Sequence, residues 1–433
     1  MNFQQSLAYL DALIGLGVQT GLDHTRHLAS RLGNPQFAYP CILVAGTNGK
    51  GSTASFLTAI LGAAGIGAGL YTSPHLVDVR ERIRTGGTLI GEVEFASSLS
   101  CVREQAEAAV AAGELPSPPT YFEALTLVAF EHFRRRVVSA AVLEVGLGGR
   151  LDCTNVSEPV LSIVTNIGLD HEDYLGMGLQ NIAREKAGIF RAGVPALTAA
   201  KDGPALETLR RRAAELGTPL GESRECQIQV SGDSWRTLCG ARTADLPFPS
   251  LPGRHQLQNA ALAVHAAWTL GDLGWKISPE AVREGIASAR WPGRLERMGE
   301  APDLYLDGAH NPDGCEALAA FVSGLPHRRK ALVFTAMRDK PVRAMLAALA
   351  PSFDALWATR VPMARSLHSE EVACEAEGIE VRCQEDPMAA LAAARSWAGA
   401  EGLVVVAGSL YLVGFIKSHQ EDGSLSRSWG SGL

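Results

Sequence analysis

The sequence predicts an α/β fold, with a P-loop-containing N-terminal domain on a mostly parallel sheet and a smaller Rossmann-like α/β C-terminal domain. Short apolar runs alternate with helical patterns along the chain, which is typical of a parallel sheet covered by helices. One apolar run, residues 41–45, leads through a glycine-rich turn into a helical pattern, as P-loops do. With 433 residues, 46% of them hydrophobic, the chain is long enough for two or three domains.

The first series of elements extends to about residue 290. Apolar runs predict strands at 41–45, 68–71, 140–145, 160–167 and 194–198, and helical periodicity predicts helices at 50–64, 122–136, 179–190, 205–216 and 257–270. The pattern becomes irregular over residues 222–249, where we predict a small β-rich insertion.

A second α/β series begins at residues 304–307, after the break at Trp291-Pro292-Gly293-Arg294. We predict strands at 331–335, 355–358, 380–382 and 403–407, and helices at 314–325, 342–349 and 388–397. The break places the predicted domains at 1–296 and 297–418, followed by a disordered tail at 419–433 that is rich in Ser and Gly.

Composition excludes several classes of function. The net charge is -7, and the longest basic cluster is the triplet at residues 134–136, so we expect no nucleic-acid partner. The eight cysteines form no C-x-x-C pair, which favours reduced thiols in the cytosol. There is no basic start of a secretion signal and no apolar run long enough for a bilayer. We therefore expect a cytoplasmic protein with no membrane partner.

The turn after the first strand has the composition of a phosphate-binding loop. Backbone N–H groups, the helix dipole and the Lys50 ammonium would attract phosphate, and two hydroxyls would reach phosphate or magnesium. The candidate nucleotide residues here are Asn48, Gly49, Lys50, Gly51, Ser52 and Thr53. Two residues rather than four separate Gly46 from Gly49, and Gly51 directly follows the lysine. An ordinary strand-to-helix turn is therefore the alternative interpretation.

Polar side chains also follow three further predicted strands, at the sheet edge where ligands collect in α/β folds. These are Ser73, Glu144 and His171. A carboxylate inside an apolar strand is costly without a cation, and oxygen ligands suit magnesium. The alternatives are a strand-end salt bridge for Glu144 and a structural histidine for His171.

Eight segments in order along the chain resemble the folylpolyglutamate synthase/dihydrofolate synthase family, a branch of the Mur ligase superfamily, and its bacterial bifunctional enzymes in particular. They are GTNGKGS (46–52), TSPHL (72–76), EVGLGGRLD (144–152), LDH (169–171), REKAGI (184–189), LPGRHQLQNA (251–260), WPGR (291–294) and DGAHNP (307–312). The resemblance covers residues 20 to 417. It implies an ADP-forming, ATP-dependent ligase that joins L-glutamate to dihydropteroate and to reduced folates through an acyl phosphate.

Carried over by position, the resemblance assigns catalytic roles to Lys50, Glu144, His171 and Lys186. Ser73, Glu144 and His171 match magnesium ligands, and Lys186 matches a lysine that is carbamylated in relatives, where it supports a second magnesium. An optional monovalent cation completes the implied cofactors. A plain surface lysine is the alternative interpretation of Lys186.

The resemblance divides the ATP site between the two domains. Asn259 and Arg294 would contact the nucleotide from the end of the first domain, and Asp307 and His310 from the second, at ribose and base. Domain closure would then assemble the site. A simple Asx-type turn is the local alternative for residues 307–311.

The implied pterin site draws on three segments. Its candidate residues are Thr20, Gly21, Leu22, Thr120, Tyr121, Phe122, Glu123, Leu151, Asp152 and Cys153. By analogy, Asp152 would accept hydrogen bonds from the pterin while Phe122 supplies apolar surface. An Asx cap at the strand end is the alternative for Asp152.

Three other functions remain open at this point. One is a folylpolyglutamate synthase without the first activity, and another is a cell-wall Mur ligase. Cell-wall ligases usually carry Thr after the loop lysine and an extra N-terminal domain, whereas Gly51 stands here and only about 40 residues precede the loop. The third, a P-loop ATPase switch, would not need the second domain. We expect a monomer.

Overall fold

The first two thirds of the chain are built on an eight-stranded sheet. The computed structural model describes residues 1–17, 21–223, 226–232 and 234–420. The sheet order is β4-β3-β2-β5-β1-β6-β7-β8, with parallel pairing from β2 through β8 and an antiparallel hairpin at the β4 edge. The strands are β1 Cys41–Ala45, β2 Ala68–Tyr71, β3 Ile83–Thr85, β4 Thr88–Leu89, β5 Ala140–Glu144, β6 Pro159–Val164, β7 Ala196–Thr198 and β8 Leu220–Glu222.

Ten helices accompany this sheet in the described residues. They are α1 Phe3–Leu13, α2 Asp23–Arg31, α3 Lys50–Ala63, α4 Glu92–Ala111, α5 Tyr121–Arg135, α6 Glu172–Leu175, α7 Leu179–Lys186, α8 Pro204–Leu216, α9 Arg254–Asp272 and α10 Pro279–Ser288. Because successive strand residues point to opposite faces, Leu43 packs with α1, α4 and α5, while Val44 packs with α3, α9 and α10. The fully apolar β1 is therefore buried on both sides.

A small antiparallel sheet follows β8. It consists of β9 Gln227–Ser231, β10 Ser234–Cys239 and β11 Arg242–Pro247, which confirms the predicted β-rich insertion. Trp235 and Leu246 anchor it to the core around α9. Cys226 and Cys239 form a disulfide there, while the six other cysteines are free. The predicted reduced state is thus wrong for this pair, because strand pairing brings together two cysteines that lie 13 residues apart.

The remaining residues form a six-stranded sheet in the order β12-β13-β17-β14-β15-β16, parallel except for the β12–β13 pair. Its strands are β12 Glu296–Gly299, β13 Asp303–Leu306, β14 Lys330–Phe334, β15 Ala355–Ala358, β16 Glu380–Cys383 and β17 Leu403–Ala407. Its helices are α11 Pro312–Ser323, α12 Val342–Leu349, α13 Ser369–Glu375, α14 Pro387–Ala398 and α15 Leu410–Gln420. Buried apolar clusters cover both faces.

The predicted fold class is confirmed, with local corrections to the element bounds. The strand predicted over residues 160–167 ends at Val164, and the strand predicted over 194–198 begins at Ala196. The helix predicted to run to residue 190 ends at Lys186, with a 3-10 turn over Ala187–Ile189. Residues 419 and 420, predicted as disordered, belong to α15, and residues 421–433 lie outside the described part. The domain boundary at 296/297 stays a prediction, and β12, which pairs into the second sheet, spans it. We find no described helix with the length and apolarity needed to cross a bilayer.

Candidate active site

A cleft of about 1310 Å³ lies at the carboxyl edge of β1, β5 and β6 and extends to the second sheet. Most of the predicted site residues line it: Asn48, Gly49, Lys50, Gly51, Ser52, Ser73, Thr120, Tyr121, Phe122, Glu144, Leu151, Asp152, Cys153, His171, Lys186, Asn259, Arg294, Asp307 and His310. Residues that are far apart in sequence meet here because parallel strands end at one edge.

Five predicted site residues are not placed on the cleft. Thr53 is fully buried in α3, and no described group bonds its hydroxyl. Leu22 packs in the core, and neither it nor Gly21 lines the cleft. Glu123 is held by a capping box with Thr120 and by the Thr25 hydroxyl at 3.0 Å. Thr20 lies outside the described residues.

The loop after β1 needs glycine for two different reasons. Gly49 precedes α3 in the left-handed region, at φ 81°, and a Cβ there would lie 2.4 Å from the Asn259 side chain. A Cβ on Gly51 would lie 2.7 Å from the Trp291 ring. This indole contact is the physical reason that glycine, rather than Ser or Thr, follows the loop lysine.

Two lysines converge on one carbonyl of this loop. Lys50 Nζ donates to Gly46 O at 3.1 Å and to Thr47 O at 3.0 Å, and Lys186 Nζ donates to Gly46 O at 2.9 Å. Burial and the charge of Lys50 lower the pKa of Lys186 to about 7. Burial also lowers the pKa of Lys50, although Glu144 and Asp170 oppose that shift. The loop thus brings two lysines together, and no carboxylate of the described residues lies within 4.0 Å of either ammonium.

Glu144 ends β5 as a buried carboxylate whose Oε2 accepts only a 3.3 Å bond from the Ser73 N–H among the described residues. Burial raises the pKa of Glu144 to about 6. In the described chain, no basic nitrogen lies within 4.0 Å of it. His171 lies across the same cleft, and burial lowers its pKa, which favours the neutral ring that binds metals. Ser73, Glu144 and His171 therefore offer donors that suit a divalent cation.

The loop is joined to the second domain by direct polar contacts. The side-chain amides of Asn48 and Asn311 bond reciprocally at 3.2 and 3.0 Å. Asp170 forms a buried ion pair with Lys340 at 2.7 Å and accepts a bond from Asn311 at 3.1 Å. Although burial opposes it, Lys340 holds the pKa of Asp170 well below its usual range. The second domain therefore contacts the phosphate-binding loop directly.

The second domain brings a further acid and imidazole to the cleft. Asp307 accepts bonds from the N–H groups of Leu295 and Ala309, both at 2.9 Å, and burial raises its pKa. His310 Nδ1 donates to Gly308 O at 2.7 Å, and burial with the Lys340 charge lowers its pKa to about 4. Asp307 thus makes the Asx-type turn that is the alternative interpretation of residues 307–311, and its side chain also lines the cleft.

At the other end of the cleft, Asp152 is fully engaged by its own loop. One carboxylate oxygen accepts bonds from Gly146 and Leu147 N–H groups at 2.9 and 3.0 Å. The other accepts from the Thr154 N–H at 3.0 Å and hydroxyl at 2.6 Å. The structure therefore shows the capping role, and the pterin contact stays a prediction. The Phe122 ring lies against Gly146, where a Cβ would come within 2.5 Å of it.

Sequence reasoning missed several charged residues of the cleft, among them Asp170, Lys340 and Arg82. Asp170 lies in the quoted LDH segment, yet only its histidine was selected, and Lys340 follows β14, a strand end in the second sheet. Arg82 is buried, donates to His75 Nδ1 at 2.9 Å and lies over the Tyr121 ring. No described group accepts from its Nη2. Lys340 lies six residues beyond the end of β14, so the strand-end rule leads to its loop without singling it out.

The chain matches two protein-family models. Residues 44–267 match the Mur ligase middle domain, and residues 293–410 match the Mur ligase glutamate ligase domain. A dihydrofolate synthase/folylpolyglutamate synthase of Bacillus subtilis is 34% identical, over 96% of this chain and 98% of that protein.

Solved structures resemble the chain over nearly its whole length. E. coli FolC in complex with DHPP and ADP has a TM-score of 0.89 at 34% identity, covering 97% of this chain and 98% of that one. A bifunctional folylpolyglutamate synthase/dihydrofolate synthase with Mn, AMPPNP and L-glutamate bound has a TM-score of 0.85 at 33% identity, covering 98% of each chain.

The two linked α/β domains, with a phosphate-binding loop at the cleft between them, define an ATP-dependent ligase of the Mur type. Within that class, the Bacillus subtilis relative and E. coli FolC match this chain over nearly the full length of both proteins. The chain belongs to the folylpolyglutamate synthase/dihydrofolate synthase family, which confirms the resemblance drawn from the eight segments.

Proposed function

We propose that this protein joins L-glutamate to dihydropteroate and to reduced folates, with ATP as the source of energy. The observation that carries the proposal is the cleft itself, in which the glycine loop, two convergent lysines and a buried carboxylate face residues of the second domain. Relatives with the same fold hold ADP with DHPP, or AMPPNP with Mn and L-glutamate. A carboxylate does not react with an amine until one of its oxygens becomes a leaving group, which phosphorylation achieves.

The phosphate loop supplies positioning and charge for that transfer. The backbone of Asn48–Ser52 would hold the phosphates, and Lys50 would leave its two carbonyl partners for the outer phosphates. Ser73, Glu144 and His171 would hold Mg²⁺, which neutralises the developing charge on the phosphoryl oxygens when bound. The chain itself then mainly aligns the pterin carboxylate with the phosphorus and excludes water. The amino group of glutamate finally displaces phosphate from the acyl phosphate.

Lys186 is proposed to carry a carbamate. Carbamylation requires a neutral amine, and burial with the Lys50 charge brings its pKa to about 7, so a large part of the side chain is neutral near physiological pH. The product is an anionic oxygen donor beside Lys50, which suits a second Mg²⁺. We also propose that the protein binds a monovalent cation and that it is a monomer.

The nucleotide would extend from this loop to both domains. Asn259 packs against Gly49, and Arg294, Asp307 and His310 line the cleft from the junction and the second domain. We assign them to the ribose and base. The reciprocal Asn48–Asn311 pair would then link nucleotide binding to domain closure.

The pterin substrate would enter at the opposite end, between Phe122, Leu151 and Cys153. Arg82 is the cation best placed for its carboxylate or for that of glutamate, because it is buried, lines the cleft and keeps one nitrogen without a described partner. A buried guanidinium with a free donor favours an anionic ligand.

A single competition experiment tests the proposal. The protein receives ATP, Mg²⁺ and labelled glutamate with dihydropteroate, with tetrahydrofolate, or with both substrates together. The two labelled products and the released ADP are then measured. We expect ADP release to require glutamate together with either pterin. Labelled product from tetrahydrofolate alone would indicate a folylpolyglutamate synthase, and ATP hydrolysis that is indifferent to both substrates would indicate an ATPase switch.

A further inference from the structure

The small sheet places a disulfide at the wall of the cleft. Cys226 precedes β9 and Cys239 ends β10, one step beyond the paired residues Gln227 and Leu238. Their Cα atoms are 4.2 Å apart. Cys226 is buried and lines the cleft together with Ile228, whereas Cys239 is partly exposed. The bond therefore joins a residue of the cleft wall to one that solvent reaches.

An imidazole faces both sulfur atoms. Nδ1 of His265 lies 3.8 Å from Cys226 Sγ, 3.9 Å from Cys239 Sγ and 2.8 Å from the Ser223 hydroxyl oxygen. His265 belongs to α9, as does Asn259, which packs against the phosphate loop. Six residues of helix separate the two side chains by about 9 Å. The cystine and the nucleotide loop thus share one rigid element.

We propose that Cys226 and Cys239, with His265 beside them, are a redox-active pair whose oxidation state sets the affinity of the nucleotide end of the cleft. In reduction, a thiolate of an external dithiol attacks the more accessible Cys239 Sγ, the S–S bond breaks and Cys226 leaves as a thiolate that takes up a proton. The second thiol of the reductant then displaces Cys239 and forms the reductant's own disulfide. Two electrons and two protons pass to the pair.

Re-oxidation requires a disulfide such as oxidised glutathione, which accepts the same two electrons and two protons. The neutral imidazole of His265 accepts the thiol proton and so provides the attacking thiolate. Burial and the nearby Arg242 charge both lower the pKa of this histidine, which keeps it available as a base.

The oxidised state should bind nucleotide more tightly. The bond ties the start of β9 to the end of β10 across 13 residues, so the part of the wall formed by Cys226 and Ile228 is held in one arrangement. Pre-ordering a wall lowers the entropy lost when a ligand binds. This part of the inference rests on the proposed function, since it requires a nucleotide in the cleft.

Cys226, Cys239 and His265 could instead hold a metal ion, because their ligand atoms all lie within 4.8 Å of one another. The joined sulfurs favour the redox interpretation, since a cystine has no thiolate to offer a metal. Metal binding is therefore an outcome of the test and not the proposal.

The test uses the full-length protein equilibrated with dithiothreitol or with oxidised glutathione. Alkylation and peptide mass analysis report the state of the two thiols, and calorimetry with ADP and Mg²⁺ reports affinity. We expect a reversible Cys226–Cys239 bond and ADP binding about fivefold weaker in the reduced protein, the lower end of typical coupling between sites. Cys239→Ser should bind weakly under both conditions, while the exposed-cysteine control Cys374→Ser should respond like the wild type. His265→Gln should slow re-oxidation several-fold.

Three results would overturn the inference. Thiols that stay free in oxidised glutathione, or bound zinc in the purified protein, would exclude the exchange. Equal ADP affinity in the oxidised and reduced proteins would show that the disulfide has a structural role only. Failure of ADP to bind in either state would count against the proposed function, and the thiol measurements would still decide the exchange by themselves.

Discussion

Glu144→Gln should stabilise the protein while removing its activity. Burial raises the pKa of Glu144 from 4.5 to about 6. The folded protein therefore binds the proton of the Glu144 carboxyl more tightly than the unfolded chain does, and ionising this carboxyl lowers the free energy of unfolding. This loss of stability is complete above about pH 6 and absent well below about pH 4.5. The difference corresponds to roughly 2 kcal/mol at about pH 8. The amide oxygen of glutamine can still accept the bond from the Ser73 N–H.

Thermal unfolding without nucleotide or metal measures this effect. With about 2.1 cal/mol/K of unfolding entropy per residue, roughly 2 kcal/mol raises the Tm by about 2–3 °C. The gain should vanish well below about pH 4.5, where the wild-type carboxyl is protonated in both the folded and the unfolded state. Adding ATP and Mg²⁺ should then reverse the order, because only the wild type keeps the metal ligand.

A surface variant provides the control. Glu377→Gln, on an exposed side chain paired with Arg343, should change stability by less than about 0.5 kcal/mol. If Glu144→Gln lowers the Tm at about pH 8 or retains ligation, Glu144 acts as a strand-end structural group and the metal assignment is refuted.

Three further substitutions test separate parts of the site. Lys50→Met should reduce kcat by at least roughly a hundredfold. The Tm should not fall, because burial disfavours the charged form of Lys50. Retained turnover in the ADP-release assay would refute the role of Lys50 in phosphate binding. Lys340→Met leaves Asp170 buried without its cation and should destabilise the protein by about 3–5 kcal/mol in thermal unfolding, and an unchanged Tm would show that the ion pair contributes nothing. Asp152→Ala should cost about 1–3 kcal/mol through its orphaned N–H groups and raise the KM for dihydropteroate much more than that for ATP. Equal changes in both KM values would leave only the capping role.

The sequence predicted the central elements well because their signals are local. The buried strand Cys41–Ala45 is a continuous apolar run bounded by a turn, and its limits agree with the prediction. The helices α1, α2 and α4 were not predicted. Tertiary packing decides such helices, and α1 and α4 bury Leu10 and Leu99 in the core that they share with α5. Helix α15 was not predicted either, and residues 419 and 420 were assigned to a tail that is rich in Ser and Gly, yet Ser418 beside them is buried.

Site residues were predictable where a motif marks them, and not where a contact joins distant segments. The ion pair of Asp170 with Lys340 spans 170 residues, so no local pattern reveals it. The disulfide likewise depends on the pairing of β9 with β10, since Cys226 and Cys239 have no motif spacing. Glu123 lies within a recognised segment, and its hydrogen bonds serve the start of α5, so its role at the pterin site stays a prediction.

Transfer of oxygen from substrate to phosphate tests the central claim most directly. Dihydropteroate with both carboxylate oxygens labelled with the heavy isotope is turned over with ATP, Mg²⁺ and glutamate, and the released inorganic phosphate is analysed by mass. An acyl phosphate predicts one heavy oxygen in each phosphate released. Phosphate that carries none, while the amide product still forms, would contradict activation of the carboxylate by phosphorylation at this cleft.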